Sequence, residues 1–192
     1  RPPLLVAVLS IAVLGAAGWG ASAVYSMLKP HQQARIEAFF QPERDPHGIG
    51  YHVTQSVLAI GSGGLLGKGF QQGTQTQLRY IPKQWTDFIF CVPAEEFGFV
   101  GAVLLLAALF GLLWHVLGVA FRVHGDRFWS ICVAGIAAVW GYHTAVNVGM
   151  VLGLVPVIGL PLPFVSAGGS AMVVNMAMAG VVANAYRHYY RR

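Results

Sequence analysis

The three longest stretches of this chain without Asp, Glu, Lys or Arg are Pro2 to Leu28, Phe97 to Phe121 and Phe128 to Tyr186. A bilayer core of about 30 Å is crossed by about 20 apolar residues in a helix. The first two stretches therefore hold one spanning helix each. The third holds two, because Pro156-Val-Ile-Gly-Leu-Pro-Leu-Pro163 sets three prolines and a glycine where no helix continues. Composition agrees: 56% of the 192 residues are hydrophobic and 10% charged, against about 25% charged in soluble domains. The sequence predicts an all-α, polytopic integral membrane protein with four transmembrane helices, over 1–28, 97–121, 128–155 and 170–187. A secretory signal is disfavoured for the first segment, whose apolar run is too long and has no clear cleavage site before the polar region. The chain starts at Arg1 without a methionine, which raises the expectation of a fragment of something longer.

Orientation follows from the basic residues near the spans. Arg1, Arg122, Arg127, Arg187, Arg191 and Arg192 fall on one side with Asp126 the only acid, which makes that side, both termini included, cytoplasmic. The short connection 122–127 and the tail 188–192 lie there; the loops 29–96 and 156–169 lie outside. In 29–96, Lys29, Arg35, Arg44, Lys68, Arg79 and Lys83 balance Glu37, Glu43, Asp45, Asp87, Glu95 and Glu96, so the net charge of +5 sits inside. This is a topological charge and not a nucleic-acid surface, since the basic residues form no single patch with interleaved aromatics. Cys91 and Cys132 define no disulfide or metal framework, and His47 and His52 have no carboxylate or thiol at a zinc spacing.

The outer loop 29–96 is too long to be a passive link. Its residues 31–40 place Ile36, Phe39 and Phe40 at helical spacing, as in a short helix on the membrane surface. Residues 51–60 form a second short apolar helix, which Gly61-Ser-Gly-Gly64 terminates. The run Gly61 to Gly69 is not a nucleotide P-loop, because Ser62 stands where a glycine is needed and Gly69 where Ser or Thr is needed. Two alternatives stay open: its amides, beside Lys68, hold a pyrophosphate, or it is a flexible turn.

The segment Arg79 to Phe90 carries the aromatics Tyr80, Trp85, Phe88 and Phe90, which suit the headgroup layer and put Asp87 at the boundary of water and lipid. Partial desolvation there raises a carboxyl pKa and makes a better base, whereas Lys83 or Arg79 lowers it. Against this stands a plain structural role, in which Thr86 or Asp87 caps a helix starting at Phe88. Glu95 and Glu96 read first as anions at the N-terminus of the next helix. In the last outer loop Ser170 reads as an N-cap, and the amides after Gly168 as able to meet an anion. Asn147, polar within a span, is expected to hydrogen-bond another helix, and Gly101, Gly135, Gly141, Gly149 and Gly153 to allow close helix approach.

Five blocks in order carry a family resemblance: Ala59-Ile-Gly-Ser-Gly-Gly-Leu-Leu-Gly-Lys-Gly69, Gly73-Thr-Gln-Thr-Gln77, Thr86-Asp-Phe-Ile-Phe90, Ala94-Glu-Glu-Phe-Gly98, and Asn147 through Pro161-Leu-Pro-Phe-Val-Ser166. The chain resembles the SEDS family (shape, elongation, division and sporulation), nearest its rod-shape members, and covers the C-terminal half of that family's pattern. The resemblance implies a peptidoglycan glycosyltransferase that polymerises lipid II outside the bacterial cytoplasmic membrane, with a class B penicillin-binding protein as partner. It implies Asp87 as catalytic base, with Lys68, Arg79, Lys83, Glu95, Glu96, Ser166, Gly168, Gly169 and Ser170 around the substrate. A divalent cation, magnesium or manganese, or basic residues would stabilise the leaving pyrophosphate. The sequence departs from the family pattern at Trp85, His143 and Ala167. Two alternatives to an enzyme are a lipid II flippase and a noncatalytic scaffold. The flippase calls for ionisable groups within the spans, which hold only His115 and His143.

Overall fold

The computed structural model describes residues 25–41, 48–78, 80–81, 83–123 and 125–190. The expected first spanning segment falls outside them except for its end. The described residues are helical, with no strand among them: α1 (Pro30–Phe40), α2 (Ile49–Gly63), the single turn α3 (Thr74–Gln77), α4 (Cys91–Glu96), and the long helices α5 (Gly98–Arg122), α6 (Arg127–Val151) and α7 (Gly169–Tyr190). Among the described residues, three stretches are long and apolar enough to cross a bilayer: Gly98–Arg122, Arg127–Val151 and Gly169–Arg187.

α5, α6 and α7 form a bundle whose seam contains Val116, Val119, Val133, Ala137, Trp140, Val182 and Ala185. Most other large apolar side chains on these helices face outward, among them Phe99, Leu104, Phe110, Trp114 and Phe121 on α5. A surface of that size is untenable in water and is the expected exterior in lipid. With lipid outside, burial of apolar area no longer drives assembly, and packing plus a few hydrogen bonds must do so. One such bond is buried in the seam, where the Trp140 indole N–H of α6 donates to Asn175 Oδ1 of α7 at 3.0 Å. At the turn between α5 and α6, Asp126 caps α6 by accepting from the Phe128 amide, and Ser130 Oγ donates back to the Ala120 carbonyl of α5. Of the glycines expected to bring helices together, Gly153 does so, a Cβ there standing 3.3 Å from Val53 Cγ1 of α2, whereas two on α6 do not. A side chain on Gly135 would meet nothing within 4 Å, and one on Gly141 only Leu113 Cδ1 at 3.9 Å.

α6 stops at Val151, short of the expected 155. The reason is Gly153, at φ +71°. The Leu154 amide bonds the Gly149 carbonyl and the Gly153 amide the Met150 carbonyl, the Schellman pattern that a left-handed glycine closes. The freed Val151 carbonyl accepts from the buried Ser56 hydroxyl of α2 at 2.8 Å, satisfying a helix-end acceptor that would otherwise be stranded. α2 thus docks across the C-terminal end of α6. Between them lies a second core of Ala59, Ile81, Phe88, Phe90, Cys91, Met150 and Val151. Phe88 and Phe90, expected in the headgroup layer, are interior; Tyr80 and Trp85 are exposed.

Replacing Asn175 with Leu keeps the side-chain volume but leaves the Trp140 N–H buried without an acceptor. The expected cost is about 1–2 kcal/mol, read as a lower thermal midpoint in detergent, with Trp140→Phe in the same background restoring most of the loss.

Candidate functional site: two loops locked around Asp87

Residues 83–90 form a tight turn. Lys83 adopts φ +57°, and its carbonyl accepts from the amides of Thr86 and Asp87 at 3.1 Å and from the Thr86 hydroxyl at 3.2 Å. Thr86 and Asp87 therefore cap no helix at Phe88: the next helix, α4, begins at Cys91, and its N-cap Phe90 makes no side-chain cap. Phe88, Ile89 and Phe90 drive the far end of the turn into the core. Asp87, on the near side of these anchors, is half-buried.

The turn is fastened to the loop between α6 and α7 by three hydrogen bonds to its main chain. Asn147 Nδ2, on α6, donates to the Asp87 carbonyl at 2.9 Å and to the Leu160 carbonyl at 2.7 Å. The Ser166 hydroxyl donates to the Thr86 carbonyl at 2.6 Å and accepts from the Leu162 amide at 2.7 Å. The Ala167 amide donates to the Trp85 carbonyl at 2.8 Å. Consecutive residues 85, 86 and 87 are thereby each held by a different group. The Asp87 carboxylate comes to rest beside Gly159, at φ +80°, where an added Cβ would stand 3.2 Å from Asp87 Oδ2. Phe164, at φ +61°, is pinned edge-on to Trp140 with ring centroids 4.8 Å apart. Lys83 and Phe164 each hold a left-handed conformation costing about 1–3 kcal/mol, one on each loop of the clamp.

Glu95 heads a second cluster. It is fully buried at the end of α4, where Oε1 pairs with Lys68 Nζ at 2.8 Å and accepts from the Gln75 amide at 2.9 Å, while Oε2 accepts from the Thr76 amide at 3.0 Å. Lys68 Nζ also donates to Thr74 Oγ1 at 2.6 Å. Glu95 is thus an anion at a helix start, as expected, but the helix is α3 and not α5. Desolvation by burial pushes its carboxyl pKa up; the Lys68 ammonium and the amides of Gln75 and Thr76 outweigh that and hold it below the ordinary value. The glycine-rich run wraps the junction of α4 and α5. The Lys68 and Gly69 amides donate to the carbonyls of Glu95 and Glu96, and the Phe99 and Val100 amides of α5 donate to the carbonyls of Gly64 and Leu65. A Cβ on Gly67 would collide with the Glu96 carbonyl, and one on Gly98 with the Gly67 amide. The two readings left open for this run give way to a third: its amides and its lysine are committed to closing helix ends, so it is neither a free anion cradle nor a loose turn.

The residues singled out from sequence therefore divide. Asp87, Lys83, Ser166 and Gly168 lie on the two clamped loops, and Gly169 and Ser170 open α7 directly after them. Ser170 is inside the first turn of α7, which starts at Gly169, and so is not its N-cap. Ser166 is almost fully buried with its hydroxyl used on both sides, a brace rather than an exposed contact. Lys68 and Glu95 belong to the second cluster. Glu96 is buried beside them, and Arg79 falls outside the described residues. Asn147 was expected to bond another helix; it bonds two loop carbonyls instead. Its isolation as a polar residue in an apolar span was the one signal in the sequence. Cys91 offers no nucleophile: burial first, and the nearby Glu95 charge second, push its thiol up to about 12.

Because the folded pKa of Glu95 lies below its unfolded value, its stabilising contribution is complete above the ordinary glutamate value of about 4.3. It is lost as pH falls through the lower folded value. Thermal melting in detergent should show an acid-side decline that Glu95→Gln removes. At neutral pH that variant should lie below wild type by somewhat less than the roughly 3–5 kcal/mol of a fully buried broken pair, since Lys68 keeps some contact with solvent.

Residues 4–191 match the FtsW, RodA and SpoVE model of cell cycle proteins. Among curated relatives, the peptidoglycan glycosyltransferase MrdB of Escherichia coli K12 is 44% identical over 164 residues, covering 85% of this chain and 44% of that protein. The peptidoglycan glycosyltransferase RodA of Treponema pallidum is 39% identical, covering 81% of this chain and 36% of that protein. The stage V sporulation protein E of Bacillus subtilis is 38% identical, covering 83% and 43%. A chain from a solved peptidoglycan synthase complex that coordinates polymerization and crosslinking superposes with a TM-score of 0.70 at 32% identity, covering 96% of this chain and 50% of that one. The chain spans less than half the length of these curated relatives, and over nearly all of its own length it belongs to the FtsW, RodA and SpoVE family of cell cycle proteins.

Proposed function

We propose that this chain forms the C-terminal part of a peptidoglycan glycosyltransferase that polymerises lipid II for cell elongation and shape, with Asp87 as its general base. The observation that carries the proposal is the clamp: three successive carbonyls around a half-buried carboxylate are fixed by Asn147, Ser166 and Ala167. Fixing a base this way converts proton transfer into a positioned, nearly unimolecular event. In the reaction, an Asp87 carboxylate oxygen takes the proton of the acceptor sugar's 4-hydroxyl. That oxygen attacks the donor's anomeric carbon, the bond from that carbon to the pyrophosphate oxygen breaks, and its electron pair leaves with undecaprenyl pyrophosphate. The products are one new glycosidic bond and a protonated Asp87, which returns its proton to water.

Charge on the leaving group is met by Lys83, exposed on the turn, and by the start of α7 at Gly169 and Ser170, where helix amides favour an anion. The magnesium or manganese ion expected on resemblance finds no set of three or more His, Cys, Asp or Glu side chains among the described residues. The membrane is the bacterial cytoplasmic membrane, with both termini of this chain inside and the clamped loops outside. A class B penicillin-binding protein receives the strands.

The test is lipid II polymerisation by the full-length protein with its penicillin-binding partner in proteoliposomes. Asp87→Asn, nearly isosteric, should lower the rate by about 10²–10⁴-fold with unchanged expression and partner binding; retained polymerisation would sink the assignment. Gly159→Ala, which crowds Asp87 Oδ2 and strains a left-handed backbone, should lower the rate about 10–100-fold. Its effect should fall on kcat more than on KM.

A further inference from the structure

Residues 64–70 present an apolar edge that the proposed chemistry does not use. Leu65 is 72% exposed, Leu66 82% and Phe70 68%, and Phe70 stacks on the exposed Phe97 with ring centroids 6.1 Å apart. The depth of this edge is set by hydrogen bonds to α5. Since the Leu65 carbonyl accepts from the Val100 amide at 3.2 Å and the Gly64 carbonyl from the Phe99 amide at 2.9 Å, the edge lies level with the first turn of a spanning helix. That helix has 25 residues, about 37 Å at its rise per residue, and exceeds a hydrocarbon core of about 30 Å, so its first turn stands at the rim of the bilayer. The adjoining outward residues of α5, Phe99, Val100, Val103 and Leu104, continue the same apolar surface down the span.

Two features suit the edge to lipid rather than water. Between Gly61 and Leu78 the one charged side chain is Lys68, and Glu95 neutralises it from the buried side. The amides of Gly67, Lys68 and Gly69 are all bonded to carbonyls, so seating the segment against acyl chains strands none of these donors. We infer that residues 64–70 are a membrane anchor, with Leu65, Leu66 and Phe70 seated in the outer rim of the lipid bilayer beside α5. The Lys68–Glu95 pair keeps that anchor uncharged.

The experiment uses full-length protein with its other cysteines replaced and one environment-sensitive fluorophore on Leu66→Cys or, separately, on Phe70→Cys, in phosphatidylethanolamine and phosphatidylglycerol vesicles. Gln77→Cys serves as the reference site. At both anchor positions the emission should shift to the blue, and a shallow nitroxide-labelled lipid should quench it at least twofold more than at the reference site, while aqueous iodide quenches it less. Quenching by iodide and not by the lipid would overturn the inference, as would protection from both quenchers, which would mean that protein covers the edge. Adding Glu95→Gln should reduce the lipid quenching at Leu66→Cys by exposing an unpaired lysine charge.

Discussion

A fully buried carboxamide one turn from the end of an apolar helix must find its partners within the protein, and the C-terminal end of α6 is arranged around the donors of Asn147. Its donors reach past the helix to the carbonyls of Asp87 and Leu160, two loops far apart in the sequence. Each of those carbonyls belongs to irregular backbone, which is tolerated at membrane depth only when bonded within the protein. One side-chain amide therefore satisfies two loop carbonyls together, and the position of Asp87 follows from it. Ser166 repeats the device with a hydroxyl, bonding Thr86 on one side and Leu162 on the other.

The second cluster solves a different problem by the same economy. Short helices such as α3 and α4 expose most of their backbone groups at their ends, and a junction with a spanning helix adds more. Here the end groups satisfy one another: α4 offers carbonyls to the Lys68 and Gly69 amides, and the same run offers carbonyls to the first amides of α5. Glu95 serves α3 and Lys68 together. Glycine is required where these strands of chain touch, since a methyl group on Gly67 or Gly98 would strike backbone rather than a movable side chain.

Much of this was legible in the residues themselves. Charge-free runs located the three described spans, because the absence of ionisable groups is a strict demand of the bilayer. The proline cluster marked the break after α6. It misplaced the helix end, since Gly153 stops the helix before the prolines are reached, and a left-handed glycine leaves no trace in hydropathy. Phe88 and Phe90 were expected at the headgroups because an aromatic carries the same composition signal whether it faces lipid heads or a core. The partners of Lys68, Glu95 and Asn147 were out of reach for a further reason. Each lies across a long sequence separation or on backbone atoms, and backbone atoms are the same in every residue. What marked Asp87 was family resemblance together with its neighbours, not any pattern of spacing.

The clamp joins Ala167 to Trp85 through a main-chain amide and a main-chain carbonyl alone. A joint made of main-chain atoms is indifferent to which side chains are mounted on it. Trp85 and Ala167 are two of the three positions where this chain departs from the pattern it otherwise follows, and both stand on such a joint. The surface around Asp87 can thus be changed one residue at a time while the scaffold that places its carboxylate stays in register.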